Sequence, residues 1–151
     1  MKKLKFMAMV LVLAASLTSF TDNENSAWLT NYNEAIKKAK TENKLILMDF
    51  SGSDWCANCI RLEKSVFQTE AFKTYAKDKF ILLNVDFPMK AKNKLSPELT
   101  KQNAELAKKY NNDGQFPTVI ILNSDEKVLA KTGYIEGGAE VYINHLNKLL
   151  K

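Results

Sequence analysis

Three short apolar runs limit what this chain can fold into. They are "KLILMDF" (44–50), "FILLNVD" (80–86) and "TVIILN" (118–123), each bounded by polar or turn-forming residues. Runs of this length read as strands buried on both faces. Amphipathic stretches separate them. Residues 31–43 carry Tyr32, Ala35, Ile36 and Ala39 on one face, with lysines opposite. Residues 69–79 form a second helix with Thr69 as its N-cap. Ser96 and Pro97 supply an N-cap and a first-turn proline for a third, which runs to about Tyr110 and stops at "NNDG". Helical character is also predicted from the cysteine segment through Ile60, Leu62 and Glu63. After "SDE", residues 127–133 alternate as a fourth strand that pairs with the third in an antiparallel hairpin. Gly137 and Gly138 make a turn. The final helix, 138–150, is expected to point Val141, Leu146, Leu149 and Leu150 inward. The predicted order is α-β-α-α-β-α-β-β-α. It describes an α/β fold: a mixed, largely parallel sheet with an antiparallel edge and helices on both faces.

The N-terminus stands apart. "MKKLKFMAMVLVLAASLTSFT" (1–21) opens with Lys2, Lys3 and Lys5, continues through an apolar run from Phe6 to Leu17, and ends in small residues. That is the layout of a secretory signal peptide. The run is shorter than the roughly 20 residues a membrane span needs. Cleavage is expected between Ser19 and Ser26, leaving one domain, 22–151, in the periplasm or otherwise outside the cytoplasm. Losing three lysines lowers the formal charge from +5 to +2, with 19 basic residues against 17 acids. Six lysines lie between Lys90 and Lys109, with Glu98 and Glu105 among them. Arginines and interleaved aromatics are missing there, so the stretch reads as a solvated loop and helix face and not as a nucleic-acid surface.

"SGSDWCANCIRL" (51–62) holds the only two cysteines. As a staple, Cys56–Cys59 would close a loop of about four residues, worth roughly 2 kcal/mol, against about 4.7 for a hundred-residue loop. As a metal site it lacks ligands, since structural zinc needs four and the one histidine, His145, is far along the chain. A reactive pair remains. It sits where a strand ends and a helix begins, and unpaired N–H groups with the helix dipole favour a thiolate there. On this reading Cys56 is the nucleophile. Cys59, three residues on, is more enclosed and resolves the mixed disulfide.

The strand "LILMDF", then "WCANC", then "FPT" before a strand and hairpin, resembles the thioredoxin superfamily from about Trp28 to Lys151. The "GSDWC" form is most similar to secreted bacterial members and to the periplasmic C-terminal domain of thiol:disulfide interchange proteins. The resemblance implies that Cys56 and Cys59 are the redox pair, flanked by Trp55. It implies that Pro117 is cis, beside the cysteines, exposing backbone for an extended substrate and barring metals, with Phe116 and Thr118 on either side. Asp49 matches the acid that accepts the resolving cysteine's proton. Burial would raise its pKa, and a purely structural carboxylate is the alternative. Ala57 and Asn58 depart from the usual residues between the cysteines and provide no cation beside Cys56. Asp54 either opposes the thiolate or is a solvated loop acid. Leu82 stands where the family often has a lysine. The extra loop in 87–97 is either a partner surface or a neutral insertion.

The resulting expectation is a thiol–disulfide oxidoreductase without a cofactor or metal. It would reduce protein disulfides and be kept reduced by a membrane-bound electron donor. The rivals are an isomerase or oxidase on the same fold, a module that holds clients without turnover, and a metal carrier.

Overall fold

The computed structural model describes residues 27–151; the predicted signal segment and its cleavage range lie outside them. Five strands form one sheet in the order β1-β3-β2-β4-β5: β1 (Trp28–Leu29), β2 (Leu45–Ser51), β3 (Phe80–Asp86), β4 (Thr118–Leu122) and β5 (Val128–Thr132). β3 runs parallel to both β1 and β2. β4 is antiparallel to β2 as well as to β5, so the sheet is more mixed than "largely parallel" suggests. β1 has no counterpart in the sequence reading, because two residues carry no periodicity to detect.

Strand alternation divides the core in two. Ile46, Met48 and Phe50 of β2 face α1 (Tyr32–Glu42) and α4 (Pro97–Tyr110). Leu47 faces the other way, towards a cluster drawn from α2 (Ala57–Leu62), the π-type turn that prolongs it (Glu63–Phe67), α3 (Glu70–Lys77) and α5 (Gly138–Leu149). Asp49, two residues on, shares that second face.

Local chemistry fixes the helix ends. Asn31, Thr69 and Ser96 each accept the N–H three residues later, satisfying a donor the helix cannot. One reading of α5 needs correction. Val141 is 45% exposed and Leu149 also lies open; the buried stripe is Tyr142 and Leu146. Val141 packs instead over the glycine turn, where a Cβ on Gly137 would come within 2.8 Å of it. Leu149 is the last residue of the helix. Among the described residues no helix is long and apolar enough to cross a membrane.

Candidate active site

β2 ends at Ser51, and the turn from Gly52 delivers Cys56 as the N-cap of α2. Two bonds close that turn: the Trp55 and Cys56 amides both donate to the Gly52 carbonyl, at 3.2 and 2.8 Å. The Cys59 amide donates to Cys56 Sγ at 3.2 Å, and the Gly52 amide to Cys59 Sγ at 3.5 Å. Cys56 and Cys59 are joined in a disulfide with Cα atoms 5.2 Å apart. Cys56 is 7% exposed and Cys59 3%. The helix behind them does not stop at Leu62 but continues through the π-type turn to Phe67.

An aromatic shelf stands beside the pair. Trp55 is 44% exposed, and its indole N–H donates to the Phe87 carbonyl at 2.8 Å. Its ring meets Phe116 edge-on at 5.4 Å, and Phe116 meets Phe87 at 5.5 Å. The Phe116–Pro117 peptide is cis. Pairing of β4 with β2 begins just past it, at Thr118 opposite Phe50. Thr118 itself is buried, with its hydroxyl donating to the Gln115 carbonyl, so its side chain is not part of the exposed shelf.

Asp49 is buried, and its Oδ1 has no hydrogen-bond partner among the described residues. Burial pushes its pKa up to about 8, helped by the charges of Glu63 and Asp86. Leu82 lies on the neighbouring strand, in register with Leu47.

Asp54 is tied into the loop that follows β3. Its carboxylate accepts the Met89 amide at 2.9 Å, the Lys90 amide at 3.0 Å and Asn93 Nδ2 at 2.8 Å. These bonds, the Met89 amide foremost, hold its pKa below the ordinary value. Asp86 grips the same turn through the Ser53 amide and hydroxyl, at 2.9 and 2.6 Å. The sequence reading missed Ser53, Asp86, Phe87 and Glu63 as neighbours of the site. The extra length after Asp86 was the one sign that something packs there. His145 lies far from the cysteines in role, bonded to Thr132 at 2.9 Å. Among the described residues no three His, Cys, Asp or Glu side chains gather as metal ligands.

A family profile described as thioredoxin-like matches residues 27–124. The chain belongs to the thioredoxin-like family. Disulfide bond reductase DsbH of Chlamydia pneumoniae is 34% identical over 127 residues, spanning 84% of this chain and 74% of that protein. A solved DsbH oxidoreductase structure superimposes with a TM-score of 0.75 at 32% identity, covering 82% of this chain and 83% of that one. Thioredoxin-related protein DsbJ of the same organism is 28% identical over 88% of this chain, which spans only 38% of DsbJ. A thioredoxin-like chain with a Cys-x-x-Cys disulfide at the start of a helix is a thiol–disulfide oxidoreductase, and this one is of that kind.

Proposed function

We propose that this chain is an exported reductase of protein disulfides, made with a targeting segment at 1–21 and working as a 22–151 domain. The arrangement of Cys56 carries the reading. It caps a helix, receives the Cys59 amide, and is the slightly more exposed of the two residues. Those contacts favour a thiolate at Cys56 once the pair is reduced. The thiolate attacks one sulfur of a substrate disulfide, and the other substrate sulfur leaves as a thiolate and takes a proton. Cys59 then gives its proton to the ionised form of Asp49 and attacks Cys56 Sγ. The second substrate thiol is released and Cys56–Cys59 is left oxidised. Two electrons have passed from the chain to the substrate.

Trp55, Phe116 and the backbone at Pro117 would hold the substrate strand, while Thr118 contributes only through the sheet. The relative named as a disulfide bond reductase favours this direction over isomerase or oxidase. A reductase in an oxidising compartment needs electrons, so the partners are disulfide-bearing proteins and a membrane-bound donor.

The test is the redox potential of the pair, equilibrated against glutathione or dithiothreitol. A value near about −270 mV supports the reductase. A value of roughly −180 to −120 mV reverses the direction and makes the chain an isomerase or oxidant. Cys59→Ala separates turnover from holding: the enzyme accumulates mixed disulfides at Cys56, whereas a holding module gives none.

A further inference from the structure

Among the described residues four buried side-chain oxygens have no hydrogen-bond partner: Asp49 Oδ1, Asn84 Oδ1, Tyr142 Oη and Asn111 Oδ1. Asn111 caps α4, and its Nδ2 donates to the Gln115 carbonyl. The other three belong to one face of the sheet. Asn84 stands in register with Asp49 on the adjacent strand, so the two side chains project to the same side. Val119 is the register partner of Asp49 on β4, and it packs in the cluster that holds Tyr142, fully buried on α5. Tyr142 is near enough for the charge of Asp49 to push its pKa up beyond what burial alone does.

Interior polar atoms in folded proteins are satisfied by protein or by ordered water. These three do not satisfy one another, since none lies within hydrogen-bond distance of a partner. Their chemistry is complementary all the same. Asp49 Oδ1 and Asn84 Oδ1 are acceptors, and the tyrosine hydroxyl can donate. One water closes the set, accepting from Tyr142 and donating to the other two. About three polar partners is what a buried water typically has.

The surrounding charges give such a water a task. Glu63 of the π-type turn and Asp86 of β3 both oppose ionisation of Asp49, and no cation among the described residues offsets them. Glu63 accepts from Gln68 Nε2 at 3.1 Å, and Asp86 accepts from Ser53. On α2 the nearest titratable group, Cys59, is held in the disulfide. On α5 the titratable groups are Tyr142 and His145, whose ring lies 6.4 Å from the Tyr142 ring and whose Nε2 bonds Thr132. An ionised Asp49 must therefore draw on neutral donors.

We propose that Asp49, Asn84 and Tyr142 enclose a site for one internal water, and that Tyr142 and Asn84 are positioning residues that stabilise the Asp49 carboxylate through it. Their part in turnover rests on the proposal that Asp49 takes the Cys59 proton; the water site itself does not. In that step the Cys59 S–H bond breaks and the proton is bound by Asp49. The water neither gains nor loses a proton and only redirects its hydrogen bonds.

The experiment follows the Asp49 carboxyl carbon by NMR while the oxidised full-length protein is titrated. Tyr142→Phe keeps the ring and removes the donor, so the midpoint should rise by about one pH unit. Asn84→Leu removes an acceptor that holds the same water and should raise it too. The double variant should shift by less than the sum of the two. An unmoved midpoint in Tyr142→Phe overturns the assignment. Additive shifts also overturn it, because independent effects need no shared water. A high-resolution crystal structure of the oxidised protein should place a water within hydrogen-bond distance of Asp49 Oδ1 and Tyr142 Oη; a direct bond between those two atoms would overturn the water site. Resolution of a mixed disulfide at Cys56 should slow roughly tenfold in Tyr142→Phe at about pH 7 and match the wild type above both midpoints. A shifted midpoint with unchanged resolution tells against Asp49 as the proton acceptor and leaves the water site standing.

Discussion

The titration of Asp49 is governed by its surroundings. Its carboxyl is pushed from 3.8 to about 8, first by burial and then by Glu63 and Asp86. Between those values the folded chain holds a proton that the unfolded chain has released. Stability therefore falls as pH rises through the window: the penalty is absent below the unfolded pKa and complete above the folded one. Asp49→Asn removes the effect. Denaturant unfolding of the oxidised protein at about pH 5 and about pH 9 should show a loss of a few kcal/mol in the wild type that the variant lacks; parallel profiles would refute the assignment. If Asp49 also takes the Cys59 proton, resolution of a mixed disulfide should slow by roughly tenfold to a hundredfold in the variant. Gly52 makes a second case. A Cβ there would sit 2.4 Å from Cε2 of Trp55, whose indole cannot swing away without leaving the Phe87 carbonyl. Gly52→Ala should shift tryptophan emission to the red and slow exchange with protein disulfides several-fold. Unchanged emission would mean that the shelf yields at no cost.

Elements were legible wherever their chemistry is local. The caps at Asn31, Thr69 and Ser96, the strand Phe80–Asp86 and the hairpin of β4 and β5 all follow from neighbours a few residues apart. The cysteine pair is a local motif as well, and so is the proline before β4. Contacts spanning the chain left no such mark. Asp54 binds a loop 35 to 39 residues away, and nothing in "SGSD" announces it. Glu63 and Asp86 reach Asp49 only because the sheet and the π-type turn bring them together. In α5, Leu146 lies inward as expected, but Tyr142, which was not among the expected inward residues, is fully buried while Val141 covers a turn. The clamp has a direct test. Asp54→Ala removes three acceptor contacts, so hydrogen exchange at the Met89 and Lys90 amides should accelerate at least about tenfold while amides in β3 stay protected. Unchanged exchange at those two amides would show that the loop is held by its own packing.

At the scale of the whole molecule, the question is where the folded unit begins. β1 lies at the edge of the sheet, with Trp28 opposite Leu82 and Leu29 opposite Leu83. The Trp28 ring meets Phe67 at 5.0 Å, and Phe67 in turn meets Phe72 at 4.8 Å and Tyr142 at 6.0 Å. A line of aromatics thus runs from the first strand to the last helix, across the turn that carries Glu63. The proposed cleavage range, Ser19 to Ser26, ends before this line starts, so processing there leaves every one of these contacts in place. A chain starting at Ala27 should match one starting at Asp22 in denaturation midpoint. A chain starting at Asn31 loses Trp28 and Leu29, both half-buried, and should be less stable by about 2–4 kcal/mol. Its loss should also loosen Phe67, visible as faster exchange in the π-type turn. Equal stability of all three chains would remove β1 from the folded unit. A mature N-terminus found by mass spectrometry beyond Leu29 would remove the proposed cleavage range, because the exported protein would then lack its edge strand.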